Sequence, residues 1–150
     1  MLTVLLALSC RDPDGINHAP SLSAAWLSPP SPTVTDRIRV VTSTHDRDGD
    51  PVSVLVTWDI NGQRLTGGPV LESTHFSKGD RVAAVVVPVD GRDAGAAAAT
   101  TAVVVANSPP SLSGVTVSPA VPVRGEDALH CSLDGEPEDA DGDAVTLQWK

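Results

Sequence analysis

The chain has 150 residues, room for one ordinary domain or for one small domain and part of another. Its formal net charge of −9 argues against nucleic acid and anionic membrane surfaces, which require basic patches. Two Cys are too few for a zinc cluster or a disulfide scaffold, and the 25 Gly and Pro residues suit short strands joined by turns.

Met1 to Cys10 reads MLTVLLALSC, an apolar run too short to span a bilayer, which takes ~20 apolar residues as a helix. It has the character of the tail of a secretory signal. Ala7-Leu8-Ser9-Cys10 resembles a bacterial lipobox, whose Cys becomes the lipidated first residue of the mature protein. No basic residue precedes the run, and Ala7 stands where Leu is preferred. Three readings stay open here: a lipoprotein anchored through Cys10, plain secretion, or a chance apolar start. The expected organisation takes 1–16 as a lipoprotein-type signal and short linker. Membrane contact then runs only through the lipid, at the cell surface or outer membrane, and the protein is otherwise secreted.

An internal repeat organises the remainder. NHAPSLSAAWLSPPSP from Asn17 returns as NSPPSLSGVTVSPAVP from Asn107, so that Asn17, Pro20, Leu22, Ser28, Pro29 and Pro32 recur ninety positions later. Further on, DRIRV (Asp36 to Val40) answers DALHC (Asp127 to Cys131). DRDGD (Asp46 to Asp50) answers DADGD (Asp139 to Asp143), and Trp58 answers Trp149. A period near 90 residues is too long for a solenoid and right for a small sandwich. The first copy is assigned to 17–106 and an incomplete second copy to 107–150.

Strands are expected at 21–28, 36–43, 52–60, 63–66, 69–73, 81–87 and 99–106. The clearest is 52–60, where Val52, Val54, Val56, Trp58 and Ile60 alternate with Ser53, Leu55, Thr57 and Asp59. Asn61-Gly62 then supplies a hairpin turn, because both residues tolerate positive φ. The stretch 96–105 is ambiguous: its Ala run favours helix, while Thr100, Thr101 and Val103 to Val105 favour strand at its end. The count is that of a seven-stranded immunoglobulin-like sandwich, all-β, followed by a truncated second copy, with Trp58 as core anchor.

The order N-x-x-P, paired Pro, D-x-D-G-D, Trp, N-G, F-S-K-G-D (Phe76 to Asp80) and V-P-V-D-G (Val87 to Gly91) resembles tandem bacterial immunoglobulin-like repeats. These are relatives of the polycystic-kidney-disease and cadherin-like modules of secreted proteins and lipoproteins. The resemblance implies spacers and adhesive or binding modules rather than catalysts. It also implies that Cys131, at the second-strand position, is half of an inter-sheet disulfide whose partner lies outside this chain. Val40 and Ala84 hold the two matching places in the first copy. The other reading of Cys131 is a small buried hydrophobe.

Asp46, Asp48 and Asp50, and likewise Asp139, Asp141 and Asp143, offer closely spaced carboxylates on Gly-containing loops, the ligand chemistry of calcium. Neither loop is an EF-hand, since Gly is fourth rather than sixth and no closing Glu follows. Strand alternation brings the 46–50 loop, the Asp90-Gly91-Arg92-Asp93 turn and the incoming chain to one end of the sandwich. The cadherin resemblance implies a junction site in which Asp139 and Asp141 join Asn107 and Asp80. The competing reading is a solvated acidic turn whose Asp side chains cap backbone N–H groups.

Catalytic signatures are missing. His18, His45, His75 and His130 have no metal-ligand spacing, and there is no nucleophile elbow or phosphate-binding glycine loop. The expectation is a non-enzymatic structural or adhesive module of a surface lipoprotein, with calcium as cofactor. Its expected partners are other repeats of the same chain and a surface protein or polysaccharide. The alternative is a spacer or carbohydrate-binding appendage of an extracellular enzyme.

Overall fold

A computed structural model describes residues 15–148; Cys10 and Trp149 lie outside them. Among the described residues there is no α-helix, and the strands pair antiparallel throughout. The chain divides into two compact units, one ending at Ala106 and one beginning at Asn107.

In unit 1 one sheet has the order β1 (Ser21–Ser28), β2 (Ile38–His45), β5 (Val70–Leu71). The other has the order β4 (Gln63–Gly67), β3 (Ser53–Ile60), β6 (Arg81–Val89), β7 (Ala98–Ala99), with β8 (Val103–Val104) also paired to β6. Val82, Ala84, Val86 and Pro88 of β6 are buried in strict alternation, which sets the inner face of the second sheet. Leu27, Ile38, Val40 and Leu71 from the first sheet join Val56, Trp58, Val82, Ala84 and Val86 from the second in one core. Two antiparallel sheets sharing a core are consistent with a β-sandwich.

Trp58 is 1% exposed, and its indole N–H donates to the carbonyl of Gly68 at 3.1 Å, so the ring fills the core without orphaning its polar edge. Val40 and Ala84, the matching places for a cysteine pair, are both buried. The β3–β4 hairpin turns on Asn61 (φ 52) and Gly62 (φ 87), the conformation that Asn-Gly provides.

The last expected strand differs. The run 99–106 is split between β7 and β8, so that the described residues of unit 1 form eight strand segments rather than seven. Thr100 marks the break: its N–H donates to the Ala84 carbonyl at 2.8 Å, and its hydroxyl accepts the Ala84 N–H at 3.0 Å. A side-chain oxygen thus replaces one rung of the ladder, which a pattern of β-branched residues does not reveal.

Unit 2 carries β9 (Val115–Ser118) and β10 (His130–Leu133), paired antiparallel. Opposite partners are Val117 and Cys131, and Ser118 and His130. In unit 1 the partners are Leu27 and Val40, and Ser28 and Arg39, which is the same register at the repeat-related positions. Val115, Val117, Cys131 and Leu133 therefore share one face. None of the core hydrophobics belongs to unit 2, where Val115, Val117, Val121, Val123, Leu129 and Leu147 are exposed among the described residues. Cys131 is a free, exposed thiol.

Candidate metal centre

The loop after β2 is built around Asp46. Its Oδ1 accepts the N–H of Asp48 at 2.9 Å and of Asp50 at 3.0 Å, closing a tight turn that Gly49 completes with a φ of 77°. Gly49 is needed because this left-handed conformation penalises a Cβ. Folding the loop on Asp46 gathers one carboxylate oxygen each from Asp46, Asp48 and Asp50 within 4.8 Å of one another. Asp46 and Asp48 are each 8% exposed.

The incoming segment docks on this loop. His18 donates its backbone N–H to Asp48 Oδ2 at 2.6 Å and its ring Nδ1–H to Oδ1 at 3.0 Å. Arg47 Nη1 lies 3.1 Å from His18 Nε2, so the two ring nitrogens face Asp48 and Arg47. The backbone N–H of His18 is the main reason the Asp48 carboxyl titrates below the ordinary aspartate range.

Asn17, one residue earlier, ties in the loop after β6. Its amide Nδ2 donates to Asp90 Oδ2 at 3.1 Å and to Asp93 Oδ2 at 2.7 Å. Asp90 Oδ1 accepts the N–H groups of Arg92 at 2.7 Å and Asp93 at 2.8 Å. Those backbone bonds, with that of Asp93 foremost, hold the Asp90 carboxyl below its ordinary range. The incoming chain, the 46–50 loop and the 90–93 turn thus meet at one end of unit 1.

Unit 2 repeats the loop chemistry. Asp139 Oδ1 accepts the N–H of Asp141 at 2.9 Å and of Asp143 at 3.1 Å, and Gly142 has a φ of 77°. Ser108, the counterpart of His18, donates its N–H to Asp141 Oδ2. Asp139, Asp141 and Asp143 form the second close group of carboxylates. Asn107 donates its Nδ2 to the carbonyl of Ser108 at 2.8 Å.

Asp80 serves its own turn: Oδ2 accepts the Ser77 N–H at 2.7 Å and Oδ1 accepts Asn61 Nδ2 at 2.8 Å. It belongs to neither carboxylate group. Sequence reasoning did not single out Asn17 and His18 as members of the site, although Asn17 opens the repeated N-x-x-P motif and so carried a signal.

Chemically, either loop can cap backbone N–H groups, and either offers an all-oxygen donor set suited to a hard cation. Comparison of the chain with protein-family models, with curated proteins and with solved structures finds no match in any of the three.

Proposed function

We propose that this chain is a non-catalytic structural and adhesive module of a bacterial surface lipoprotein, built from immunoglobulin-like repeats. In this reading calcium on the aspartate loops stiffens the modules, and Cys10 carries the lipid. Partners are further repeats and a surface protein or polysaccharide.

One observation carries the proposal. The two units share strand register, left-handed loop glycine and the docking of an incoming N–H on the middle aspartate. Such repetition of a scaffold and its acidic loop suits a string of similar modules.

Thermal melts of the full chain in calcium and in chelator test the metal. Extracellular calcium modules have dissociation constants of about 10⁻⁴–10⁻³ M. Ten millimolar calcium then adds about 1.4–2.7 kcal/mol and raises the midpoint. An unchanged midpoint at that concentration removes calcium and leaves the loops as capped turns. Incorporation of labelled palmitate, abolished by Cys10→Ser, tests the anchor.

A second reading, the carbohydrate-binding appendage, is favoured by Trp26. This residue is 47% exposed on β1 opposite Val41, and Arg39 is a diagonal neighbour on the same face. A solvent-facing indole offers a flat apolar surface on which a sugar ring can stack. Glycan-array binding that Trp26→Ala abolishes would promote this reading over the first.

A further inference from the structure

Among the described residues, two buried side-chain polar atoms lack a hydrogen-bond partner: Asp46 Oδ2 and Asn17 Oδ1. Both are acceptors, and both belong to the same end of unit 1. Asp46 spends Oδ1 on two backbone N–H groups, so its second oxygen is held without a donor. Asn17 gives its Nδ2 to Asp90 and Asp93, which fixes the amide orientation and leaves the carbonyl oxygen unmatched. A buried acceptor left unsatisfied costs about 1–3 kcal/mol, and more when charged. Two such acceptors at one end of the unit, one of them within a close group of carboxylates, suit a bound cation.

The charge balance agrees. The 46–50 loop and the 90–93 turn bring five carboxylates and two guanidiniums to this end of the unit. Asp46, at 8% exposure, is the most demanding of the five, since a nearby cation stabilises a buried carboxylate oxygen that has no donor. The donor oxygens of Asp46, Asp48 and Asp50 lie within 4.8 Å of one another, the span of two calcium–oxygen bonds of about 2.4 Å each. Magnesium prefers a smaller, regular octahedron and keeps most of its own waters.

Resting on the calcium reading above, we infer that calcium binds preferentially to unit 1, through Asp46 Oδ2 and Asn17 Oδ1 together with Asp48 and Asp50. Asp90 and Asp93 act as positioning residues that turn the Asn17 amide toward the ion. The second loop shares the backbone bonds, but among the described residues both buried acceptors without a hydrogen-bond partner belong to unit 1. The bound ion then fastens the incoming segment to both loops, making it a latch on the point where the chain enters unit 1.

Calcium titration calorimetry on the full chain tests the assignment. The expected result is one dominant ion per chain, with affinity lowered at least tenfold by Asn17→Ala and by Asp46→Asn, and unchanged by Asp139→Asn. Asp46→Asn keeps the Oδ1 acceptor of the loop, so it decides the matter if Asn17→Ala proves unfolded in chelator. Binding that Asp139→Asn abolishes while Asp46→Asn leaves it intact would overturn the unit 1 assignment and spare the calcium reading. No binding heat and no thermal shift at 10 mM calcium would overturn both.

Discussion

Thr100→Val isolates the side-chain rung that splits the last strand of unit 1. Thr and Val have nearly the same shape, so the substitution leaves the buried packing in place and removes one hydroxyl. Thr100 is 8% exposed and Ala84 is fully buried, so the Ala84 N–H, now bonded at 3.0 Å, would have no water to turn to. An orphaned buried donor costs about 1–3 kcal/mol. For a unit of this size each kcal/mol lowers the thermal midpoint by about 4–8 °C. Thr100→Ser keeps the hydroxyl and loses a methyl group, about 0.8 kcal/mol if that methyl is fully buried. Urea unfolding followed by circular dichroism and by tryptophan fluorescence reads both variants against the parent. The expected order of stability is parent, Ser, Val. A Val variant within 0.5 kcal/mol of the parent, or more stable than the Ser variant, would refute the reasoning, because the strand would then have regularised without the hydroxyl.

Four further outcomes are expected. Gly95→Ala places a Cβ 1.8 Å from the Pro20 carbonyl oxygen and costs about 3 kcal/mol by chemical denaturation; a neutral result would mean that the chain near Pro20 yields freely. Asn61→Ala removes the turn residue at positive φ and its bonds to Asp80 and the Arg81 N–H, for a loss of about 1–2 kcal/mol in the same assay. Asp48 and Asp90 both titrate lower in the folded chain than in the unfolded one. Their contribution is therefore complete above the ordinary aspartate value of about 3.9 and is lost as pH falls through the depressed folded values. Urea midpoints should drop below about pH 4, less so in Asp90→Asn, and a flat profile from pH 5 to pH 3 would contradict this. Finally, in a Cys10→Ser background Cys131 should react with a thiol reagent without denaturant, since it is exposed; protection would show the β9–β10 face to be covered.

Much of unit 1 was legible because its strands obey period two. Val54, Val56, Trp58 and Ile60 could be sorted to one face from the sequence, and β6 alternates just as cleanly. The Asn-Gly hairpin was legible because its backbone demands those residues. The division of the last strand was not, since a hydroxyl replacing a backbone rung leaves no trace in hydrophobic periodicity. At the carboxylate end, the Asp triplets announced themselves by spacing. The part of Asn17 lies in long-range bonds to Asp90 and Asp93, across more than seventy residues, which no local pattern encodes.

The shared register of the β1–β2 and β9–β10 pairs has a consequence for biogenesis. A strand such as β2 finds two partners in the same polypeptide, β1 and β9, either of which would seat its inward residues correctly. Swapped pairings between similar neighbours are a characteristic failure of tandem modules. Vectorial emergence of the chain, N-terminal end first, removes the ambiguity, because β1 and β2 can close before β9 follows. Renaturation of the whole polypeptide from urea forfeits that ordering, and mismatched hairpins compete from the first moment of collapse.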